Sequence, residues 1–372
     1  MRFAHLSDLH LGIRLYGVKM IDEQRYILNE IADILKNEKP DGLLLSGDIY
    51  DRPVPPEEAV ELFDSFLSKV HQLGIDIYIT SGNHDSPERL SFGTKLLNSA
   101  GVYVAGKYEG MLTKVSKTDE YGEINIYMLP FIKPSYISEY DEEKTGCTYE
   151  EAVRKAVSTN IPDTGKRNII MVHQFLTGSS RMDSDEVLVG YVDMVGADIF
   201  DNFDYAAMGH LHKAHSVGRT TVRYCGSPLK YSFSESNNIK TITIVELREK
   251  GRVDIREIPL TPKHDVRKVK GIYEELLTGS SEDYLHITLT DEDPVKYAYN
   301  NLRQRYPNLL TIEYERSAKA RGTLKSSTMT DEKSPIEIFE DFFRRQSGKE
   351  MDEEQIKLVK EVIDEVYGGD ER

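Results

Sequence analysis

Residues 1–12 read MRFAHLSDLHLG, and this stretch decides the fold. From Arg2 to Ser7 the run is short and largely apolar, as a buried strand is, and it ends on Asp8, Leu9 and His10. Side chains alternate along an extended chain, so Asp8 and His10 point the same way if strand geometry persists two residues further. A buried strand that stops on a carboxylate and an imidazole offers metal-ligand chemistry at its carboxyl end. Asp-x-His alone carries no weight, because this composition produces it by chance about 0.75 times in a chain of this length.

The same figure repeats downstream. Gly42–Ser46 and Ile75–Thr80 are short apolar runs, followed by Gly47-Asp48 and by Gly82-Asn83-His84-Asp85. Between them Ile27, Ile31, Ile34 and Leu35 recur at helical spacing behind Asp22 as a cap; Ala59, Phe63, Phe66, Leu67 and Val70 do so after Pro55–Pro56. This βαβαβ opening implies parallel strands with helices on their faces. Further strands are expected at Ile124–Leu129, Asn168–Val172, Tyr205–Met208, Val222–Cys225, Thr241–Leu247 and Val253–Ile258. The late ones lack helical spacers, which predicts antiparallel hairpins at the end.

His173 follows one of these runs and Gly209-His210-Leu211-His212 follows another. Residues just past the carboxyl ends of parallel strands converge on one crevice. Composition alone would give Gly-His-x-His about 0.02 times and Gly-Asn-His-Asp about 0.002 times. Any one of these residues could be a polar cap at a strand end. The whole ordered set, each member at a strand end, reads as a site.

From about His264 a smaller strand–helix–strand–helix–strand unit is expected, with Asp293–Pro294 opening its second helix. Residues 316–334 hold no aromatic residue and read as a linker. Two amphipathic helices follow, Pro335–Gln346 and Asp352–Tyr367. Ile336, Phe339, Phe342 and Phe343 fall on the first; Ile356, Val359, Ile363 and Val366 recur at 3-4-3 spacing on the second. So small a unit cannot bury that surface alone, so it is expected to dock, on its own body or on a partner.

Composition closes off other classes. With 39% apolar residues in periodic segments the chain is not a disordered one. No apolar run approaches the ~20 residues of a membrane span, and His5, Asp8 and His10 stand where a signal peptide needs an apolar stretch. Cys147 and Cys225 are too few for a disulfide framework and suit a reducing, cytoplasmic setting. A net charge of −16 argues against a purely electrostatic nucleic-acid binder, although Lys263, Arg267, Lys268 and Lys270 form a local basic stretch that either tracks phosphates or is a solvated face.

The order Asp-x-His, Gly-Asp, Gly-Asn-His-Asp, His, Gly-His-x-His resembles the calcineurin-like metallophosphoesterase superfamily. Within it the chain is similar to the SbcD family, the nuclease subunits of bacterial SbcCD complexes. The likeness extends through MRFAHLSDLHLG, VGYVDMVGADIFDNFDYAAMGHLHKAH (189–215), YCGSPLKYSFSES (224–236) and SPIEIFEDFFRRQSGKEMDEEQ (334–355). It implies an α/β fold: a metallophosphoesterase β-sandwich flanked by helices at 1–260, a small α/β DNA-capping domain at 261–316, a linker at 317–334 and a two-helix docking module at 335–367. It implies two Mn²⁺ ions, one on Asp8, His10 and His212, the other on Asn83, His173 and His210, with Asp48 bridging and His84 at the scissile phosphate. It also implies 3′→5′ exonuclease and single-strand or hairpin endonuclease activity, a homodimer, and partnership with the coiled-coil ATPase SbcC through the tail. Gly47-Asp48-Ile49-Tyr50-Asp51-Arg52 resembles, in addition, the GDxxDR element of phosphoprotein phosphatases; Asp51 and Arg52 are given no catalytic role. A phosphatase with the same dinuclear site, and a scaffold without catalysis, remain the alternatives.

Overall fold

Apolar side chains go alternately to two destinations along each central strand, and that alternation builds the molecule. The computed structural model describes residues 1–140, 146–179, 194–315, 336, 339–340, 343–344, 350–352 and 355–360. Met1–Tyr314 form one compact unit and Glu315–Arg372 a second.

The first unit opens with β1 (Arg2–Leu6), α1 (Ile21–Glu38), β2 (Gly42–Ser46), α2 (Glu57–Gln72), β3 (Asp76–Thr80) and β4 (Val102–Ala105), whose strands pair in parallel. Then come β5 (Thr113–Asp119), β6 (Gly122–Leu129), α3 (Tyr149–Ser158), β7 (Arg167–His173), β8 (Tyr205–Gly209), β9 (His215–Val217) and β10 (Arg219–Tyr224), ordered β9-β10-β8-β7-β6-β5 in a second sheet. The antiparallel hairpin β11 (Thr241–Leu247) and β12 (Val253–Pro259) returns to the first sheet beside β1, giving the order β12-β11-β1-β2-β3-β4.

Phe3, Leu44 and Tyr78 of the first sheet face Ile126, Met171 and Ala207 of the second and fill the space between them. Their strand neighbours point the other way. Ala4, Leu6, Leu43, Leu45, Ile77 and Ile79 pack beneath Ile27, Ile31 and Leu35 of α1 and Phe63, Phe66 and Val70 of α2. Ile170, Val172, Ala206 and Met208 do the same beneath Ala152, Val153 and Ala156 of α3. The result is a helix–sheet–sheet–helix sandwich with both faces of each sheet buried, which is why its central strands read as unbroken apolar runs. Truncating a member of the inner layer such as Leu44 to Ala costs about 2–5 kcal/mol.

A small three-stranded parallel sheet follows, from β13 (Val266–Gly271), α4 (Tyr273–Leu276), β14 (Tyr284–Leu289), α5 (Ala298–Arg303) and β15 (Leu309–Tyr314). Its core holds Leu285, Ile287, Leu289 and Leu302. Val266 and Tyr284 share a cluster with Leu15, Met20 and Phe233 of the sandwich.

Several expectations need correction. Asp22 does not cap α1; the helix starts at Ile21 behind Met20, and Asp22 lies in the first turn, where the helix dipole favours a carboxylate. Asp293–Pro294 does not open α5, which begins at Ala298 behind Tyr297 in the left-handed region (φ 58°). The strand containing Val222 pairs in parallel with β8 as well as antiparallel with β9. β4 and β5 were not anticipated. β5, TKVSKTD, is an edge strand with most of its side chains partly or fully exposed, so it lacks the apolar signature of its neighbours.

In the second unit Ile336, Phe339 and Phe343 have helical backbone, as do Ile356 and Val359. Asp352 and Gln355 form a reciprocal cap, Gln355 N–H donating to Asp352 Oδ1 (2.9 Å) and Asp352 N–H to Gln355 Oε1 (3.1 Å). Phe342, Ile363 and the stretch 317–334 lie outside the described residues. Among the described residues no helix is long and apolar enough to cross a membrane.

Candidate metal centre

Where β1 ends, the chain does not leave the sheet freely but is bonded to the loop after β2. Asp8 N–H donates to the Gly47 carbonyl, His10 N–H to that of Asp48 and Leu11 N–H to that of Ile49, each at 3.0 Å. Within this pair of loops Asp8, His10 and Asp48 adopt left-handed backbone (φ 53°, 43° and 51°), and His210 on the facing sheet does too (φ 105°). Non-glycine residues hold that conformation at a cost of order 1–3 kcal/mol, and only where surrounding structure imposes it. Gln24 of α1 braces the first of these loops, donating to the carbonyls of Leu9 (3.1 Å) and His10 (2.8 Å) while accepting from Gly12 N–H (3.0 Å). The Tyr231 hydroxyl donates to the Leu9 carbonyl at 2.6 Å. Buried Asp85 accepts from the N–H groups of Ile49, Tyr50 and Gly82 at 3.1, 3.0 and 2.9 Å and so ties the loops after β2 and β3 together. Burial, reinforced by the Asp48 charge, holds its pKa up at about 6.

Asp8, His10, Asp48, Asn83, His173, His210 and His212 are thereby brought to one place. Asp8, His10 and His212 present donor atoms within 4.8 Å of one another, as do Asp8, Asp48 and His173, and His10, Asp48 and His84. Asp48 Oδ2 lies 3.2 Å from His173 Nε2 and 3.6 Å from His10 Nε2. Asn83 Oδ1 lies 3.1 Å from both His173 Nε2 and His210 Nδ1. His10 and His212 bring their Nε2 atoms to 3.1 Å. One Nε2–H donating to the other Nε2 satisfies that pair, but His10 Nδ1 and His210 Nε2 are buried without a hydrogen-bond partner among the described residues, orphaned nitrogens of the kind a cation would engage. Carboxylate, amide oxygen and imidazole without thiolate suit a divalent ion such as Mn²⁺, Fe²⁺ or Zn²⁺. The donor set fits a metal pair.

Glycine makes the approach possible. A Cβ on Gly82 would collide with the Asp48 carboxylate, and one on Gly209 with the Ser46 carbonyl of the facing sheet.

Protonation follows from burial and neighbours. Burial drives the pKa of His210 down to about 3 and that of His10 well below its ordinary value, aided by neighbouring imidazoles. Burial also pulls His173 down, but the Asp48 carboxylate outweighs it and holds that ring up at about 9. Asp48 is correspondingly held below the usual carboxylate range by the surrounding imidazoles against its own burial, whereas burial raises Asp8. The charged imidazole and the carboxylate thus stabilise one another, and a cation bound among these groups would compete with protons for the same nitrogens and oxygens.

His84 stands at the mouth of the same cleft, half-buried. Its backbone N–H donates to Asp48 Oδ1 (2.9 Å), its Nδ1 lies 2.8 Å from the Asp51 carbonyl, and its Nε2 is 4.0 Å from Asp48 Oδ2. Asp51 lines the cleft beside Tyr231, while Arg52 is exposed with its guanidinium 3.5 Å from Asp51. The other histidines lie elsewhere: His5 between the sheets on Tyr205, His71 exposed in the last turn of α2, His215 stacked on Tyr224, His264 on Glu23 and His286 beside Glu313. Both cysteines are free thiols, Cys225 buried 3.1 Å from Ser7 Oγ. Arg267, Lys268 and Lys270 are exposed along β13, Arg267 paired with Asp283.

Gln24, Asp85, Tyr231, Glu235 and Lys240 were not singled out from sequence, yet they hold the ligand loops. Asp85 could have been found, as the last residue of Gly-Asn-His-Asp. Tyr231 and Glu235 fall in the family-like stretch 224–236 without a role being read for them, and Gln24 gave no local signal, since its partners are remote in sequence.

Two family models match the chain. Residues 1–214 match the calcineurin-like phosphoesterase family. Residues 262–347 match the SbcD C-terminal domain, described as the type 5 capsule protein repressor C-terminal domain. Among solved structures, a dimetal phosphatase from Danio rerio aligns at a TM-score of 0.43 with 8% identity, over 71% of this chain and 99% of that one. A protein of Thermus thermophilus aligns at 0.39 with 10% identity, over 69% and 98%. The chain belongs to the calcineurin-like phosphoesterases, metal-dependent enzymes, and among them to those of SbcD type.

Proposed function

We propose that this chain is a Mn²⁺-dependent DNA nuclease subunit, a 3′→5′ exonuclease on duplex ends and an endonuclease on single strands and hairpins. It acts with the ATPase SbcC in DNA end processing, and so in repair, replication and recombination. The observation that carries this reading is the SbcD-type C-terminal domain at 262–347 joined to a phosphoesterase region whose ligand set is complete. A stand-alone phosphatase has no use for such an appendage, and a scaffold has no use for the ligands.

In this reading Asp8, His10 and His212 would hold one ion, Asn83, His173 and His210 the other, and Asp48 would be shared by both. A metal pair held there would supply Lewis acidity toward a water nucleophile and the phosphodiester oxygens. The chain's own residues do the rest. Gln24, Tyr231 and Asp85 keep the ligand loops in their strained form, so nothing need reorganise when substrate arrives. His84 presents Nε2 into the cleft while Nδ1 is engaged by Asp51, so it can stabilise charge on the phosphate or protonate the leaving oxygen. The α/β unit at 261–316 caps DNA over the cleft, the tail at 335–367 docks SbcC, and two copies act as a homodimer.

A metal-by-substrate panel tests the proposal: purified chain, with and without SbcC, on hairpin DNA, duplex ends, single strands and a chromogenic phosphodiester. Mn²⁺-dependent cleavage of DNA is expected. Turnover of phosphomonoesters alone would replace the reading with that of a phosphatase.

A further inference from the structure

His212 is gripped at both ends by one buried ion pair. Its Nδ1 lies 3.4 Å from Glu235 Oε1, and its carbonyl oxygen accepts from the Lys240 ammonium at 2.8 Å. Glu235 also accepts from the Tyr231 N–H at 3.2 Å and, through Oε2, from Lys240, which donates besides to Ser227 Oγ at 2.7 Å. Glu235 has no exposed surface and Lys240 almost none.

A buried carboxylate–ammonium pair is poor evidence of a stabilising role, since desolvation offsets much of the attraction and apolar residues of similar volume pack as well. What distinguishes this pair is where it points. A carboxylate accepting from Nδ1–H fixes the imidazole tautomer, leaves the lone pair on Nε2 and raises its basicity. That Nε2 faces His10 Nε2 and belongs with Asp8 and His10 to one ligand cluster.

The turn that carries Glu235 is rigid for a visible reason. Phe233 packs against Val266 and Tyr284 and stands edge-on to His286, with ring centroids 5.2 Å apart. Lys230 joins the Ser236 carbonyl (2.8 Å) to Asp265 (3.0 Å). The turn is therefore clamped between the ligand loop and the small sheet.

We propose that Glu235, held by Lys240, is a positioning residue for His212, setting its tautomer and aim so that one of two metal ions binds tightly. The proposal rests on the reading of Asp8, His10 and His212 as ligands of one ion. Calorimetric titration of the full chain with Mn²⁺ tests it, using wild type, Glu235→Gln, Glu235→Asp and the double variant Glu235→Gln/Lys240→Met. The double variant removes both charges and so leaves neither unpaired in the interior. Wild type should bind two ions. Glu235→Gln and the double variant should bind one of them ~10–100-fold more weakly and the other unchanged, and Glu235→Asp should recover part of the loss. A folded double variant that binds both ions with wild-type affinity would overturn the role of Glu235 alone. Wild-type protein that binds no Mn²⁺ would overturn the ligand assignment beneath it, and the proposal with it.

Discussion

His173 is held by Ser46 across the two sheets: its Nδ1 lies 2.8 Å from the Ser46 carbonyl, which leaves Nε2 aimed at Asp48 Oδ2, 3.2 Å away. Ser46 ends β2 and His173 ends β7, so this contact joins the carboxyl ends of two strands from facing sheets, beside the clustered donor groups. Asp48 stands at the centre, with His10 on one side and His173 on the other. Asp48→Ala should therefore remove metal binding and turnover together, with loss of both Mn²⁺ equivalents in equilibrium dialysis. Two bound ions and near-normal phosphodiester cleavage in that variant would refute the bridging role.

His84 separates binding from chemistry. Its ring is anchored on the Asp51 carbonyl and its Nε2 lies at the edge of contact with Asp48. His84→Ala should keep both metal ions and lose on the order of 10²–10⁴ in rate, the range for a positioned acid or charge stabiliser. If metal content falls as far as the rate, His84 serves as a ligand, a role its place beside His10 and Asp48 would allow.

Gly82→Ala tests the packing beneath the cluster. The added methyl would collide with the Asp48 carboxylate, and the Gly82 N–H is one of three that hold Asp85. Overpacking in a filled interior costs about 1–3 kcal/mol, and here the displaced group is the central ligand. A lowered Tm and a Mn²⁺ affinity down by at least tenfold are expected; a change in Tm with affinity intact would show that the loop relaxes away from the site.

The convergence of Asp8, His10, Asp48, Asn83, His173, His210 and His212 was legible in the sequence because each sits at or just past the end of an apolar strand, where the parallel βαβ rule places functional groups without any knowledge of side-chain contacts. The two-layer alternation of Phe3, Leu44 and Tyr78 against Ala4, Leu43 and Ile77 was hidden, since strands buried on both faces show no polar side. β5 was hidden for the opposite reason: as an edge strand it is polar enough to pass for a loop. The residues that fix the ligand loops escaped because a side chain such as Gln24, bonded to the carbonyls of Leu9 and His10, leaves no pattern at its own position.

His5 gives a pH dependence that does not involve the metal site. It is wholly buried between the sheets, with Nδ1 2.9 Å from the Tyr205 hydroxyl, and burial, aided by Arg223, drives its pKa from 6.5 to about 3. The folded state thus favours the neutral ring. Its stabilising share is complete above the unfolded pKa and is lost as pH falls from about 6.5 toward 3. Near pH 4.5 this amounts to roughly 3 kcal/mol. Denaturant titrations of wild type and His5→Gln should diverge in slope over that window, the variant being flatter. Parallel curves would mean that the ring takes up a proton without unfolding.

The tail supplies the last test. Residues 316–334, read as a linker from sequence, lie outside the described residues. Phe339 is 41% exposed on helical backbone, and Ile336, Phe343, Ile356 and Val359 are half-buried. Large aromatics dominate helix-in-groove contacts, so Phe339 and Phe343, with Phe342 between them in sequence, are the expected anchors. Deleting residues 330–372 should abolish stable association with SbcC while leaving Mn²⁺-dependent cleavage of single-stranded DNA by the isolated chain. Phe339→Ala with Phe343→Ala should weaken association by tenfold or more without altering the Tm of the first unit. Co-purification of the truncated chain with SbcC at full stoichiometry would remove the tail from the interface. Collapse of the isolated nuclease on truncation would instead mean that the tail packs on its own body.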